Sequence, residues 1–140
     1  MAILEPEKSR CEKNQKWIVS QENNREHRAD NREHQYEVRQ YHLDGELIHQ
    51  EKCCDFLLLN DSKKKAYYIE LKGRNVREAV SQLEAAQNKL KSELAGYSVY
   101  YRIVGSRMNT HEIDSTEVRK LKERYKGHLL YRSIRIEEEL

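Results

Sequence analysis

Residues 55–72 read Asp-Phe-Leu-Leu-Leu-Asn-Asp-Ser-Lys-Lys-Lys-Ala-Tyr-Tyr-Ile-Glu-Leu-Lys, and the rest of the chain can be placed from them. Two apolar runs, residues 56–59 and 66–71, flank a polar segment of Asn60, Asp61, Ser62 and three lysines. That is how two antiparallel strands joined by a short loop read in sequence. A reversal centred near Ser62 and Lys63 sets Asp55 opposite Glu70. Directly opposed residues share a face with Cβ atoms roughly 5 Å apart, and the period of two along a strand brings Lys72 to that face. Because both runs are apolar at nearly every position, the strands are expected to be covered on both faces. Charged groups at the end of a buried hairpin need a partner or a task.

The trio has a specific chemical use. A phosphodiester is itself negative and resists hydroxide, so its hydrolysis needs a cation on the scissile phosphate, an activated water and positive charge for the oxygens as they gain electron density. Asp55 and Glu70 suit Mg²⁺, which is commonly held by one or two carboxylates while keeping several waters, with Mn²⁺ as a substitute. Lys72 suits the orientation of that water or the developing charge. Asp55, followed by Glu70-Leu71-Lys72 on the partner strand and then by a helix, resembles the PD-(D/E)XK nuclease superfamily, although Cys54 rather than proline precedes Asp55.

At 140 residues the chain suits one domain, read as a segment 1–19 that packs onto it through Trp17, Ile18 and Val19, and a domain 20–140. The net charge of +2 leaves any nucleic-acid contact to local patches. Met1 to Arg10 lacks the apolar core of a signal peptide, no run is long enough to span a bilayer, and three cysteines without a framework spacing suit a reducing cytoplasm. There is no Cys-x-x-Cys pair and the six histidines are scattered, which argues against zinc.

Residues 20–35 are almost wholly polar and contain Asn-Arg-Glu-His twice, at 24–27 and 31–34, a seven-residue spacing that stacks like residues on one helical face. A helix is expected there, then a strand over 36–43 and a turn at Asp44-Gly45 that sends 46–49 back antiparallel. A helix over 75–95 starts with a capping-box-like Asn75 and Glu78 and buries Val76, Ala79, Val80, Leu83, Ala86, Leu90 and Leu94. Residues 97–104 read as a strand parallel to the Glu70 strand, 114–126 as a second helix, and 129–136 as a last strand. Arg74 and Arg77 at the first helix start, Arg107 after the parallel strand, and Arg119 and Lys122 on the outward face of the second helix are the expected phosphate contacts.

The resemblance implies more than the residues alone. It implies an α/β fold with a restriction-endonuclease-like core, a mixed central sheet flanked by helices on both faces. It implies a further acidic residue on a helix before the first strand, for which Glu26 or Glu33 would serve, with Glu26 preferred. Some branches carry a helical glutamine that positions the water or lysine, and Gln82 occupies that place. Taken together, the expectation is a Mg²⁺-dependent endonuclease acting on DNA, similar to the small resolvase-like members that work as homodimers, with no membrane association. The alternatives are a non-catalytic nucleic-acid-binding or regulatory protein of the same fold, and a protein-interaction module.

Overall fold

The structure, a computed structural model, describes residues 2–73, 76–105 and 116–140, with backbone alone at Lys72, Gly73 and Glu117. Eight strands and two helices are described: β1 (Trp17–Glu22), β2 (Arg25–Asp30), β3 (Val38–His42), β4 (Phe56–Asn60), β5 (Lys65–Gly73), α1 (Val76–Leu90), β6 (Ser98–Gly105), α2 (Thr116–Arg124), β7 (Leu129–Ser133) and β8 (Arg135–Glu139). They build a mixed five-stranded sheet in the order β3-β4-β5-β6-β7 and a second sheet in the order β1-β2-β8. The hairpin is antiparallel with Phe56 across from Ile69 and Asn60 across from Lys65, while β5, β6 and β7 run parallel.

Alternation along β4 and β5 divides the interior into two layers. Leu57, Leu59, Ala66 and Tyr68 point to one face, where they meet Ala79, Val80, Leu83, Ala86 and Leu90 of α1 and Val118 of α2. Phe56, Leu58, Tyr67, Ile69 and Leu71 point to the other, where they meet Ile18, Ala29 and Ile136 of the second sheet. Thus β4 is buried at every position, as its unbroken apolar run requires. Helices on both faces are met on one face only: among the described residues both helices lie on the first, and a sheet covers the second.

The helix expected over 20–35 is a hairpin. Asn23 and Asn24 have φ of 49° and 63°, the left-handed pair that a tight primed turn demands and that asparagine tolerates. On either side the pattern has a period of two, with Ile18 and Ser20 inward on β1 and His27 and Ala29 inward on β2. The two Asn-Arg-Glu-His copies have different fates. The first runs from the turn into β2, and in the second Asn31 folds back to donate to the carbonyls of Gln15 and Tyr36 and accept from the Tyr36 N–H.

Three further boundaries differ. Residues 46–49 form a turn closed by the Gly45 N–H on the Ile48 carbonyl, with Gly45 at φ 82°, rather than a return strand. Helix α1 stops at Leu90, five residues short of the expected end. The final strand is broken at Ile134, whose N–H donates to the Gly105 carbonyl of the large sheet and whose carbonyl accepts from Glu26 of the small one. One residue thereby stitches the two sheets together.

Candidate functional site

The β4–β5 pairing is centred between Ser62 and Lys63, and carrying that register one residue past Phe56 sets Asp55 across from Glu70. Both carboxylates are 2% exposed. By the alternation of their strands they share the face of Leu57 and Tyr68, the side covered by the helices. The Leu71 N–H donates to Asp55 Oδ2 at 2.8 Å, and the Asp55 carbonyl accepts from Leu43 at 2.8 Å, so both the carboxylate and its backbone are fixed. Glu70 lies near the carboxyl end of β5, where parallel strands β5 and β6 end together, the side on which open α/β sheets receive ligands.

Two thiols adjoin the acids. Burial, then the charges of Asp44, Asp55 and Glu70, push Cys53 up to about 12. Cys54, fully enclosed, is pushed well above the ordinary thiol value by burial and then by Glu70. Both are therefore neutral thiols and poor nucleophiles. Among the described residues no three His, Cys, Asp or Glu side chains gather as a metal set.

A bulge lies beyond Glu70. Glu70 pairs with Ile103 and Gly73 with Gly105, so β5 carries one residue more than β6 over this interval. A bulge breaks strict alternation, and alternation is what placed Lys72 beside Asp55 and Glu70; the Lys72 backbone lies in this interval.

The remaining predicted residues separate. Glu26 is on β2, not on a helix, and Arg135 Nε lies 2.5 Å from its Oε1. Its sheet packs on the face of the large sheet opposite to Asp55 and Glu70, so it does not join them. Glu33 is in the turn between β2 and β3 and beside a small pocket with His34 and Glu139. Gln82 is half-buried on α1. Arg77, exposed on the first turn of α1, lines a groove of about 410 Å³ between the helices, with Val80, Ser81 and Glu84 on its own side and Lys120, Leu121 and Arg124 of α2 opposite. Arg119 is exposed and Lys122 half-buried on α2. Arg74 and Arg107 lie outside the described residues.

A polar cluster that sequence reasoning missed lies between the sheets. Arg102 of β6, 6% exposed, holds Glu138 of β8 through Nε at 2.7 Å and a second nitrogen at 3.0 Å, and buried His27 of β2 approaches the same carboxylate at 2.6 Å. Burial alone would raise the Glu138 carboxyl; the hydrogen bonds from His27 and Arg102 outweigh it and hold it at about 2. The guanidinium lies 5.4 and 5.5 Å from the rings of Tyr67 and Tyr100. The one signal in the sequence was an arginine inside the apolar run 99–104, where an unpaired charge would be intolerable. Among the described residues no helix is long and apolar enough to cross a membrane. Compared with protein-family models, with curated proteins and with solved structures, the chain matches none.

Proposed function

We propose that the chain is a metal-dependent endonuclease that hydrolyses DNA phosphodiester bonds. The observation that carries this reading is the pair Asp55 and Glu70, two carboxylates set on one face by the hairpin register and each 2% exposed. Two buried carboxylates at one place can share a divalent cation, which is commonly held by one or two such groups. The donor set fits Mg²⁺ or Mn²⁺, because Asp55 and Glu70 offer hard oxygen ligands. When bound, such a cation supplies an acidified water and offsets charge on the phosphate.

The chain's own residues have separable tasks in this proposal. Asp55, anchored by the Leu71 N–H, fixes the position of the ion. Glu70 shares it and directs the water. Lys72, two residues further along β5, is assigned to the negative charge that develops at the scissile phosphate. Arg77, with Lys120 and Arg124 across the groove, is assigned to backbone phosphates, as are Arg119 and Lys122 on the same helix. The core is of the restriction-endonuclease-like kind, with a second sheet where the family type has helices.

The test is nicking of a supercoiled plasmid by the parent and by Asp55→Asn, with Mg²⁺ and with EDTA. Cutting confined to the parent in Mg²⁺ is expected. Equal cutting by Asp55→Asn, or by the parent in EDTA, would overturn the assignment.

A further inference from the structure

The far end of the same hairpin carries a second feature that the acidic pair does not use. Lys63, Lys64 and Lys65 follow one another through the turn, and each lies over a different tyrosine: Lys63 over Tyr36 at 5.8 Å, Lys64 over Tyr97 at 5.1 Å and Lys65 over Tyr100 at 5.7 Å. None of the three lysines has an ion-pair partner among the described residues. The nearby acids are engaged elsewhere, since Asp61 is held by Arg39 at 2.7 Å and by the Tyr97 hydroxyl, and Glu37 by Lys13 at 3.1 Å. Lys63 and Lys64 are exposed, and Lys65 and the three rings are half-buried. Tyr36 is stacked with exposed His34 at 4.9 Å, whereas Tyr100 is flanked by His128 at 4.2 Å and buried Tyr67 at 5.0 Å.

We propose that this turn is a binding surface for single-stranded nucleic acid, with the three lysines on successive phosphates and the stack of exposed His34 with Tyr36 offering a face to a base. Cations interleaved with aromatic rings are the two components such surfaces combine, a backbone-tracking charge and a sequence-tolerant platform. A duplex would use the charge but not the rings, because its bases already stack on one another. An acidic peptide would also leave the rings idle. The surface has a fixed spacing from the acidic pair: Asn60 and Lys65 pair five residues from Asp55 and Glu70, roughly 17 Å at the rise of a strand. Between the two the hairpin is buried under the helices on one face and the second sheet on the other, so the turn is a site of its own.

Binding is measured in EDTA by fluorescence anisotropy, using a labelled single-stranded oligonucleotide of about 12 nucleotides, long enough to set a phosphate on each lysine. The charge variant combines Lys63→Gln, Lys64→Asn and Lys65→Gln, asparagine being chosen because Lys64 has φ 53° and asparagine tolerates that conformation. Loss of three phosphate contacts should lower the slope of log affinity against log salt by about two. Tyr36→Leu should weaken binding about tenfold and leave the slope unchanged. Thermal melting checks that each variant is folded. A slope unchanged in the charge variant, or equal competition by duplex DNA or by polyglutamate, would overturn the proposal. Because no cation is present, failure here leaves cleavage by Asp55 and Glu70 standing, and failure of cleavage leaves this surface standing.

Discussion

The two faces of the five-stranded sheet hold buried acids in opposite ways. Between the sheets, Glu138 is met by a guanidinium on two nitrogens and by an imidazole, and its carboxyl is held at about 2. On the helix-covered face Asp55 and Glu70 stand across from each other by the hairpin register, with the Leu71 N–H on Asp55 Oδ2 and the thiols of Cys53 and Cys54 beside them. The first arrangement is internally balanced and reads as structure. The second brings two acids to one buried place, and buried titratable groups gathered together are candidates for a functional site.

The contrast can be broken by substitution. Arg102→Met keeps volume but leaves Glu138 buried without its principal cation, and should cost about 3–5 kcal/mol in urea unfolding. If instead the variant is as stable as the parent, the cluster between the sheets is not balanced in the way its geometry implies. Glu138 gives a pH test of comparable size. Its folded value of about 2 lies below the ordinary 4.5, so its contribution, roughly 3 kcal/mol, is whole above pH 4.5 and is lost as the pH falls toward 2. Stability of Glu138→Gln should therefore vary less over that acid window than stability of the parent. In the cation-free protein Asp55→Asn should cost far less than Arg102→Met, within about 1 kcal/mol of the parent, because asparagine keeps the shape and its oxygen still accepts from the Leu71 N–H. Destabilisation as large as that of Arg102→Met would make the acidic pair a structural element after all.

The smallest effect concerns the seam. Ile134 is a β-branched residue at φ 73° and is 40% exposed, a conformation that costs it of order 1 kcal/mol and that asparagine bears more easily. Ile134→Asn should raise the melting temperature by a few degrees, about 1 kcal/mol, without touching either acid site.

These differences also mark what could be read from the chain. The hairpin of 55–72 was legible because its apolar runs and its turn have only one sensible pairing, and the register between Phe56–Asn60 and its partner follows from symmetry about Ser62 and Lys63. The stripe of α1 was legible for the same reason, a clear period with Ala79, Leu83, Ala86 and Leu90 inward. Residues 17–30 were not. Their inward positions include Ser20 and His27, so the period of two is written in polar residues and a seven-residue repeat of Asn-Arg-Glu-His imitates a helix. Asn23-Asn24 was the missed signal. Glu26 followed that error to the wrong sheet. The bulge after Glu70 was unreadable for a different reason: it is set by the pairing of β5 with β6, far away in sequence, and no local pattern in Glu-Leu-Lys-Gly announces it.

The central claim is that Asp55 and Glu70 are held together to bind a cation, and isothermal calorimetry with Mn²⁺ on the parent, Asp55→Asn and Lys72→Ala tests it most directly. The parent should bind one ion. Asp55→Asn should lose that binding, whereas Lys72→Ala should retain it and yet cut DNA ~100-fold more slowly, the scale of one stabilising group removed from a preorganised site. A parent that binds no ion, or an Asp55→Asn protein that binds as well as the parent, would contradict the account.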